Sequence, residues 1–302
     1  MSTSRSGGKG DGNGAGHDTR GNDTRGDGDG GGGNGRSDGD DRRRSDGKQR
    51  RSEGPAALVT GASSGIGRAL AIALGARGTY VVVAARRRDR LDELVREIDR
   101  GGGRAEALLL DAADGDATYE AVRRLDERLP LGLVIANAGV GGITPGKKLE
   151  WPRVKAIFET NLVGAAATIC GAVPGMVARG DGRIVGVASV AGFRGLPRFG
   201  AYSASKAGLI TLCESLRVDL HSSGVSVTTV CPGYVQTEML TPGKTHPFVV
   251  QADEAARLIL KAADARDAVC TFPAPIVAGM RAAQLLPRRL YELIATRANV
   301  KY

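Results

Sequence analysis

Tyr202 and Lys206 lie four residues apart in the stretch Gly200-Ala-Tyr-Ser-Ala-Ser-Lys-Ala-Gly208, whose composition predicts a helix. At that spacing the phenol and the ammonium project from one helix face, and the small residues between them leave room for a bulky ligand alongside. A phenol titrates near ~10, but a cation about 5 Å away at an effective dielectric of roughly 20 favours the phenolate by ~3 kcal/mol, or ~2 pK units. Such a phenol can give and take a proton near neutral pH. An ordinary surface helix can carry the same pair, so the decision falls to the surroundings.

Those surroundings contain a second chemically suggestive run, Gly61-Ala-Ser-Ser-Gly65-Ile-Gly67. It follows the apolar stretch Ala56–Thr60, which reads as a buried strand, and precedes a helical pattern over residues 68–77. Strand, glycine turn and helix is the order a phosphate cradle requires: glycines permit the tight bend, and the helix amino end offers free N–H groups to an anion. A second strand at residues 80–84 leads into Ala85-Arg86-Arg87-Arg88, ahead of an amphipathic helix with Leu91, Leu94, Val95 and Ile98 on one face. Cations at a helix start oppose its dipole unless an anion meets them. An acidic residue here would hold a ribose hydroxyl, whereas basic ones suit the extra phosphate of NADP; Arg86 is the first choice and Arg87 the alternate.

Further on, strands are expected at residues 105–110, ending at Asp111, at residues 131–136, ending in Asn137-Ala-Gly139, at residues 182–188, delivering Ser189, and at residues 226–231, ending in Pro232-Gly233. Helices fall between them at residues 117–129, at residues 151–177 with Asn161 in the interior, and at residues 202–222. An interior helix Asn has poor propensity and needs a hydrogen-bond partner. This alternation predicts an α/β class, doubly wound Rossmann fold: a mainly parallel sheet of about seven strands with helices on both faces and right-handed crossovers. Each group singled out lies at a strand's carboxyl end or on a helix able to face that rim, where such sheets bind ligands.

Composition divides the 302 residues unevenly. Residues 1–54 are rich in Gly, Asp, Arg and Ser and almost devoid of apolar side chains, so they are expected to be a disordered tail. Its charges nearly cancel, apart from a basic end at Arg42, Arg43, Arg44, Lys48, Arg50 and Arg51, so no specific nucleic-acid binding is expected. The tail has neither the apolar run of a secretion signal nor the acid-poor composition of a transit peptide. Residues 55–270 form the expected catalytic domain. Residues 271–302 form an apolar, arginine-containing extension that packs on or near the substrate pocket, with membrane-surface contact a less favoured alternative. The net charge of +9 suits an anionic ligand. Cys170, Cys213, Cys231 and Cys270 are far apart and read as buried reduced thiols of a cytoplasmic protein, with no metal site and no run long enough to span a membrane.

Taken together and in order, Thr60-Gly-Ala-Ser-Ser-Gly-Ile-Gly67, Asp111, Asn137-Ala-Gly139, Asn161, Ser189, Tyr202-x-x-x-Lys206 and Pro232-Gly233 with Thr237 resemble the short-chain dehydrogenase/reductase family, from about Ala56 to beyond Thr237. Ala112-Ala113 departs from the more polar turn of related chains. The resemblance implies a reversible oxidoreductase acting on a ketone, aldehyde or alcohol, with NADP(H) favoured over NAD(H). Tyr202 would be general acid/base, Lys206 would lower its pKa and bind the nicotinamide ribose, Ser189 would bond the substrate oxygen, and Asn161 would hold a water on the proton path. Cofactor contacts are implied for Gly61, Ser63, Ser64, Gly65, Ile66, Gly67, Arg86, Asp111, Asn137, Ala138, Gly139, Pro232, Gly233, Val235 and Thr237, besides Tyr202 and Lys206. Phe193, Leu196, Phe199, Met239, Leu240 and Phe248 flank the expected nicotinamide position and favour a lipophilic small-molecule substrate. The family resemblance also implies a homodimer or homotetramer. Two alternatives are a catalytically silent nucleotide-binding regulator and a partner-binding protein acting through its tail; the complete proton machinery argues against the first.

Overall fold

Strands that are buried on both faces must be apolar throughout, and the strands of this chain largely are. In the computed structural model, which describes residues 54–240 and 246–299, β1 (Ala56–Thr60), β2 (Tyr80–Ala85), β4 (Leu131–Ala136), β5 (Gly182–Val187) and β6 (Val225–Pro232) are buried almost end to end. With β3 (Arg104–Leu109) and β7 (Val269–Phe272) they form one parallel sheet in the order β3-β2-β1-β4-β5-β6-β7. The order reverses between β1 and β4, whose registers pair Leu58 with Val134 and Val59 with Ile135. The carboxyl ends of these two strands therefore flank a crevice at the switch point, which in such sheets takes the ligand. The expected N-terminal tail lies outside the described residues.

Helices cover both faces. On one side α1 (Gly65–Ala76), α2 (Arg88–Arg100) and α7 (Ala252–Asp264) bury Leu70, Leu74, Leu91, Leu94, Ile98, Ile259 and Leu260 against Val59, Val83 and Ile135. On the other, α3 (Gly115–Arg128), α5 (Gly164–Arg179) and α6 (Gly200–Asp219) bury Val122, Leu125, Ile169, Met176 and Leu209 against Leu58, Val134 and Ile184. Each such side chain contributes about 1.5–3 kcal/mol relative to exposure. The α3–α5 layer is also pinned by the buried Asp126, which accepts two bonds from Arg179 at 2.7 and 2.8 Å and one from the Leu131 N–H at 2.8 Å.

The long helix expected over residues 151–177 is interrupted. An α4 segment (Trp151–Phe158) passes through a π turn at Glu159–Val163 before α5 begins. Such bulges are frequent at functional sites. The continuous helical run Trp151–Arg179 is long and apolar enough to cross a membrane by composition, contrary to the sequence expectation, but here it is a layer helix packed on α3 and the sheet. The cysteines also differ from expectation: Cys213 and Cys231 are buried, Cys270 is partly covered, and Cys170 is exposed on α5. Beyond β7, α8 (Ala274–Leu285) and α9 (Arg288–Asn299) lie over the segment that follows β5. Arg281 stacks 4.1 Å over the Phe193 ring, Arg194 stacks 4.4 Å over Tyr291, and the Tyr291 hydroxyl donates to the Gly195 carbonyl.

Candidate active site

The glycine turn is held by backbone geometry that side chains cannot share. Gly61 has φ of 67°, and a Cβ there would lie 2.8 Å from the Ala138 Cα. A Cβ on Gly67 would sit 2.4 Å from the Gly61 carbonyl oxygen. The turn is tied to the end of β4 by a small polar knot. Thr60 Oγ1 donates to the Ile135 carbonyl and accepts from the N–H groups of Asn137 (3.1 Å) and Ala138 (3.2 Å). Asn137 Nδ2 in turn donates to the carbonyl of Thr60 at 2.9 Å. The Asn137 side chain is thus committed to shaping the turn, and the ribose-lining expectation rests on the backbone that follows it. At the start of α1 the Ser64 side chain caps no backbone N–H and the first turn carries no acidic residue, so the helix dipole there favours an anion.

The residues around Tyr202 converge at the carboxyl ends of β4, β5 and β6. Ser189, buried at the end of β5, accepts from the Ala191 N–H and donates over 3.4 Å to the Pro232 carbonyl. Its hydroxyl stands near the Tyr202 phenol and acts to lower that phenol's pKa. Lys206 is buried, with Nζ donating to the Val187 carbonyl at 2.8 Å and lying 5.9 Å from the centre of the Tyr202 ring. A Cβ on Gly139 would be 3.4 Å from that Nζ and 3.3 Å from Asn161 Oδ1, so the ammonium faces the turn after β4. Asn161, fully buried in the π turn, accepts from the Val140 N–H at 2.7 Å and donates to the Val140 carbonyl (3.0 Å) and Ser205 Oγ (3.2 Å).

One expectation needs correction here. Burial pushes the Tyr202 phenol above its ordinary pKa, with only the Ser189 contact lowering it, whereas the spacing alone predicted a lowered value. The reason is that Lys206 is turned onto Val187 and is itself desolvated, its pKa lowered from 10.5 to about 8. The Asn161 side chain also clamps the Val140 loop, with both its amide hydrogens taken by Val140 and Ser205.

The short chain dehydrogenase family profile matches residues 55–246. The chain belongs to the short-chain dehydrogenase/reductase family. It is 47% identical over 243 residues to an uncharacterised oxidoreductase of Myxococcus xanthus, covering 80% of this chain and 96% of that one. It is 36% identical over 195 residues to a 3-oxoacyl-[acyl-carrier-protein] reductase of Synechocystis, covering 64% of this chain and 79% of the relative. A short-chain dehydrogenase from Sphingobium yanoikuyae in complex with NADPH superposes with a TM-score of 0.68 at 29% identity, covering 82% of this chain and 95% of that one. The enzyme is accordingly an NAD(P)-dependent oxidoreductase of this family, acting on a small-molecule substrate, and the residues present can be tested against a nicotinamide dinucleotide.

They fit. Arg87 lies against the glycine turn, with Nε and Nη2 donating to Ser63 Oγ at 3.1 and 2.9 Å and Nη2 also to Ser64 Oγ at 2.8 Å. This cluster of guanidinium and hydroxyl groups is chemically suited to a phosphate. Arg86, the first choice from sequence, instead points toward Asp111 at 3.9 Å, and Asp111 accepts from the Ala113 N–H at 3.0 Å. On the far side of the crevice, Thr237 packs on the turn: a Cβ at Gly65 would meet its Cγ2 at 2.8 Å. Buried Val235 is held by the segment at Val250, and the Gly233 N–H donates to the Phe272 carbonyl at 2.7 Å. Among the apolar flank residues, Phe193 is buried under Arg281, Leu196 and Leu240 are half-buried, and Phe199, Met239 and Phe248 are exposed. Sequence reasoning missed Ser205, Val140 and the Val187 carbonyl, which position Asn161 and Lys206, because no local pattern announces a partner tens of residues away. Among the described residues no group of three or more His, Cys, Asp or Glu could hold a metal ion.

Proposed function

We propose that this enzyme interconverts a ketone or aldehyde and the corresponding alcohol with NADP(H), on a lipophilic small molecule, with Tyr202 as general acid/base. The observation that carries the reading is the meeting of Tyr202, Ser189 and Lys206 at the switch-point crevice beside the glycine turn. The bound nicotinamide would supply or accept hydride, leaving the chain to bind the substrate oxygen and move its proton. Ser189 donates to that oxygen, exchanging its long 3.4 Å bond to Pro232 for a shorter one. Tyr202, held protonated by burial, donates the proton in reduction and recovers it in oxidation. Lys206, still cationic at neutral pH and with Nζ 5.9 Å from the centre of the Tyr202 ring, is a cation placed to offset the phenolate left behind. Asn161 fixes the Val140 loop against α6 and thereby the wall facing Lys206.

The preference for NADP(H) is supported by Arg87 on Ser63 and Ser64, with Arg86 nearby, and by the NADPH held by the Sphingobium neighbour. The lipophilic substrate is supported by Leu196, Phe199, Met239 and Leu240 around the crevice and by the oxoacyl substrate in the Synechocystis relative's name. A homodimer or homotetramer formed through long helices completes the reading; exposed Trp151, Val163, Val177 and Val218 on α4, the π turn, α5 and α6 are available for it. The deciding experiment is Tyr202→Phe, assayed against a panel of ketones, aldehydes and alcohols by NADPH absorbance. Turnover is expected to fall ~10²–10⁴-fold while NADPH affinity, read by fluorescence, stays within about threefold. Turnover retained in the variant would end the assignment.

A further inference from the structure

Glu238 directly follows Thr237 on the segment after β6, and its carboxylate lies 3.0 Å from Arg87 Nη1 and 4.0 Å from Arg90 Nη1. The Ser64 hydroxyl, which accepts from Arg87 Nη2 at 2.8 Å, lies beside the same carboxylate. Arg87 is thus shared: Nε and Nη2 are taken by Ser63 and Ser64, and the remaining arm of the fork meets Glu238. Two guanidinium groups and a hydroxyl around one oxyanion would seat a phosphate as readily as a carboxylate. The pair also joins opposite walls of the crevice, because Arg87 leaves the β2 side while Glu238 comes from the β6 side, next to the Thr237 contact with Gly65. Both partners remain about half exposed, at 43% and 56%, so the bond is weak enough to open.

We propose that Glu238 is a resident anion that competes with the 2′-phosphate of the cofactor for Arg87 and so sets both the affinity for NADP(H) and the margin over NAD(H). The inference rests on the reading of Arg87 as the phosphate ligand. A dianionic phosphate displaces a monoanionic carboxylate from an exposed guanidinium, but it must also bear the repulsion of the displaced group, which stays tethered to Thr237. Removing that charge removes both penalties for a ligand carrying the 2′-phosphate and neither for one that lacks it.

The test titrates full-length wild-type protein, Glu238→Gln and Arg87→Ala with NADPH, NADH and 2′,5′-ADP, following nucleotide fluorescence or its displacement. Glu238→Gln is expected to bind NADPH and 2′,5′-ADP roughly three- to tenfold more tightly, with NADH unchanged within twofold. The gain should shrink at high salt as the repulsion is screened. Unchanged or weaker NADPH binding in Glu238→Gln would overturn the proposal, as would an equal gain for NADH. Arg87→Ala separates this failure from that of the underlying reading: if it leaves the NADPH-to-NADH ratio untouched, the phosphate assignment itself is wrong. If Arg87→Ala collapses that ratio while Glu238→Gln does nothing, only the competition is refuted.

Discussion

Replacing Lys206 with Met should make the protein inactive and change its stability in a way that depends on pH. Lys206 is buried with one hydrogen bond, to Val187, and its pKa is lowered from 10.5 to about 8. The folded state therefore holds the proton less tightly than the unfolded chain. Below pH 8 both states are protonated and the folded state carries the full cost of the buried charge, about 3 kcal/mol. Between pH 8 and 10.5 the folded state sheds the proton first and the cost is progressively relieved. A Met side chain of similar length has no such dependence. It does leave the Val187 carbonyl without its partner, at ~1–3 kcal/mol, but that loss is the same at every pH. The stability of wild type relative to Lys206→Met should thus rise by ~2 kcal/mol from pH 7 to pH 9.5. For a chain of this size that corresponds to ~4–8 °C in relative Tm. Urea unfolding of both proteins at the two pH values is the assay, and the comparison cancels groups that do not interact with Lys206, such as the buried Cys213 thiol. A difference that stays flat within about 0.5 kcal/mol, or falls as pH rises, would refute the account of Lys206 as a desolvated cation.

Asn161→Ala removes three hydrogen bonds around the π turn and leaves the Val140 N–H and carbonyl unpaired; a loss of ~2–4 kcal/mol is expected by chemical denaturation, with turnover falling further than nucleotide affinity. Gly67→Ala places a methyl 2.4 Å from the Gly61 carbonyl and 2.6 Å from Asn137 Nδ2, so nucleotide binding should weaken at least about tenfold in fluorescence titrations even where circular dichroism shows a folded protein.

Much of this architecture is legible before any coordinates because local chemistry and global topology agree in it. The run Ala56–Thr60 is too apolar for anything but a strand covered on both sides, and Gly61 and Gly67 occupy positions that no Cβ fits. The meeting of Ser189 with Tyr202 follows from a parallel sheet, which collects strand ends on one rim. What stays hidden depends on contacts distant in sequence or on the path of the backbone leaving a strand. Arg86 and Arg87 are interchangeable as letters, and only the turn from β2 into α2 aims one at Asp111 and the other at Ser63. The direction of the Tyr202 shift reverses because spacing gives the distance to Lys206 but not the burial of both groups. The π turn carries the Asn161 side chain that bonds Val140, and no helix propensity encodes either.

The grip of the last two helices on residues 193–195 bears on how the protein matures. Tyr291 reaches a carbonyl 96 positions earlier, and Arg281 roofs an aromatic ring in the same short stretch between Ser189 and Tyr202. During synthesis that stretch emerges well before the two helices that cover it. Residues 193–195 therefore reach their settled packing only once Arg281 and Tyr291 have been made.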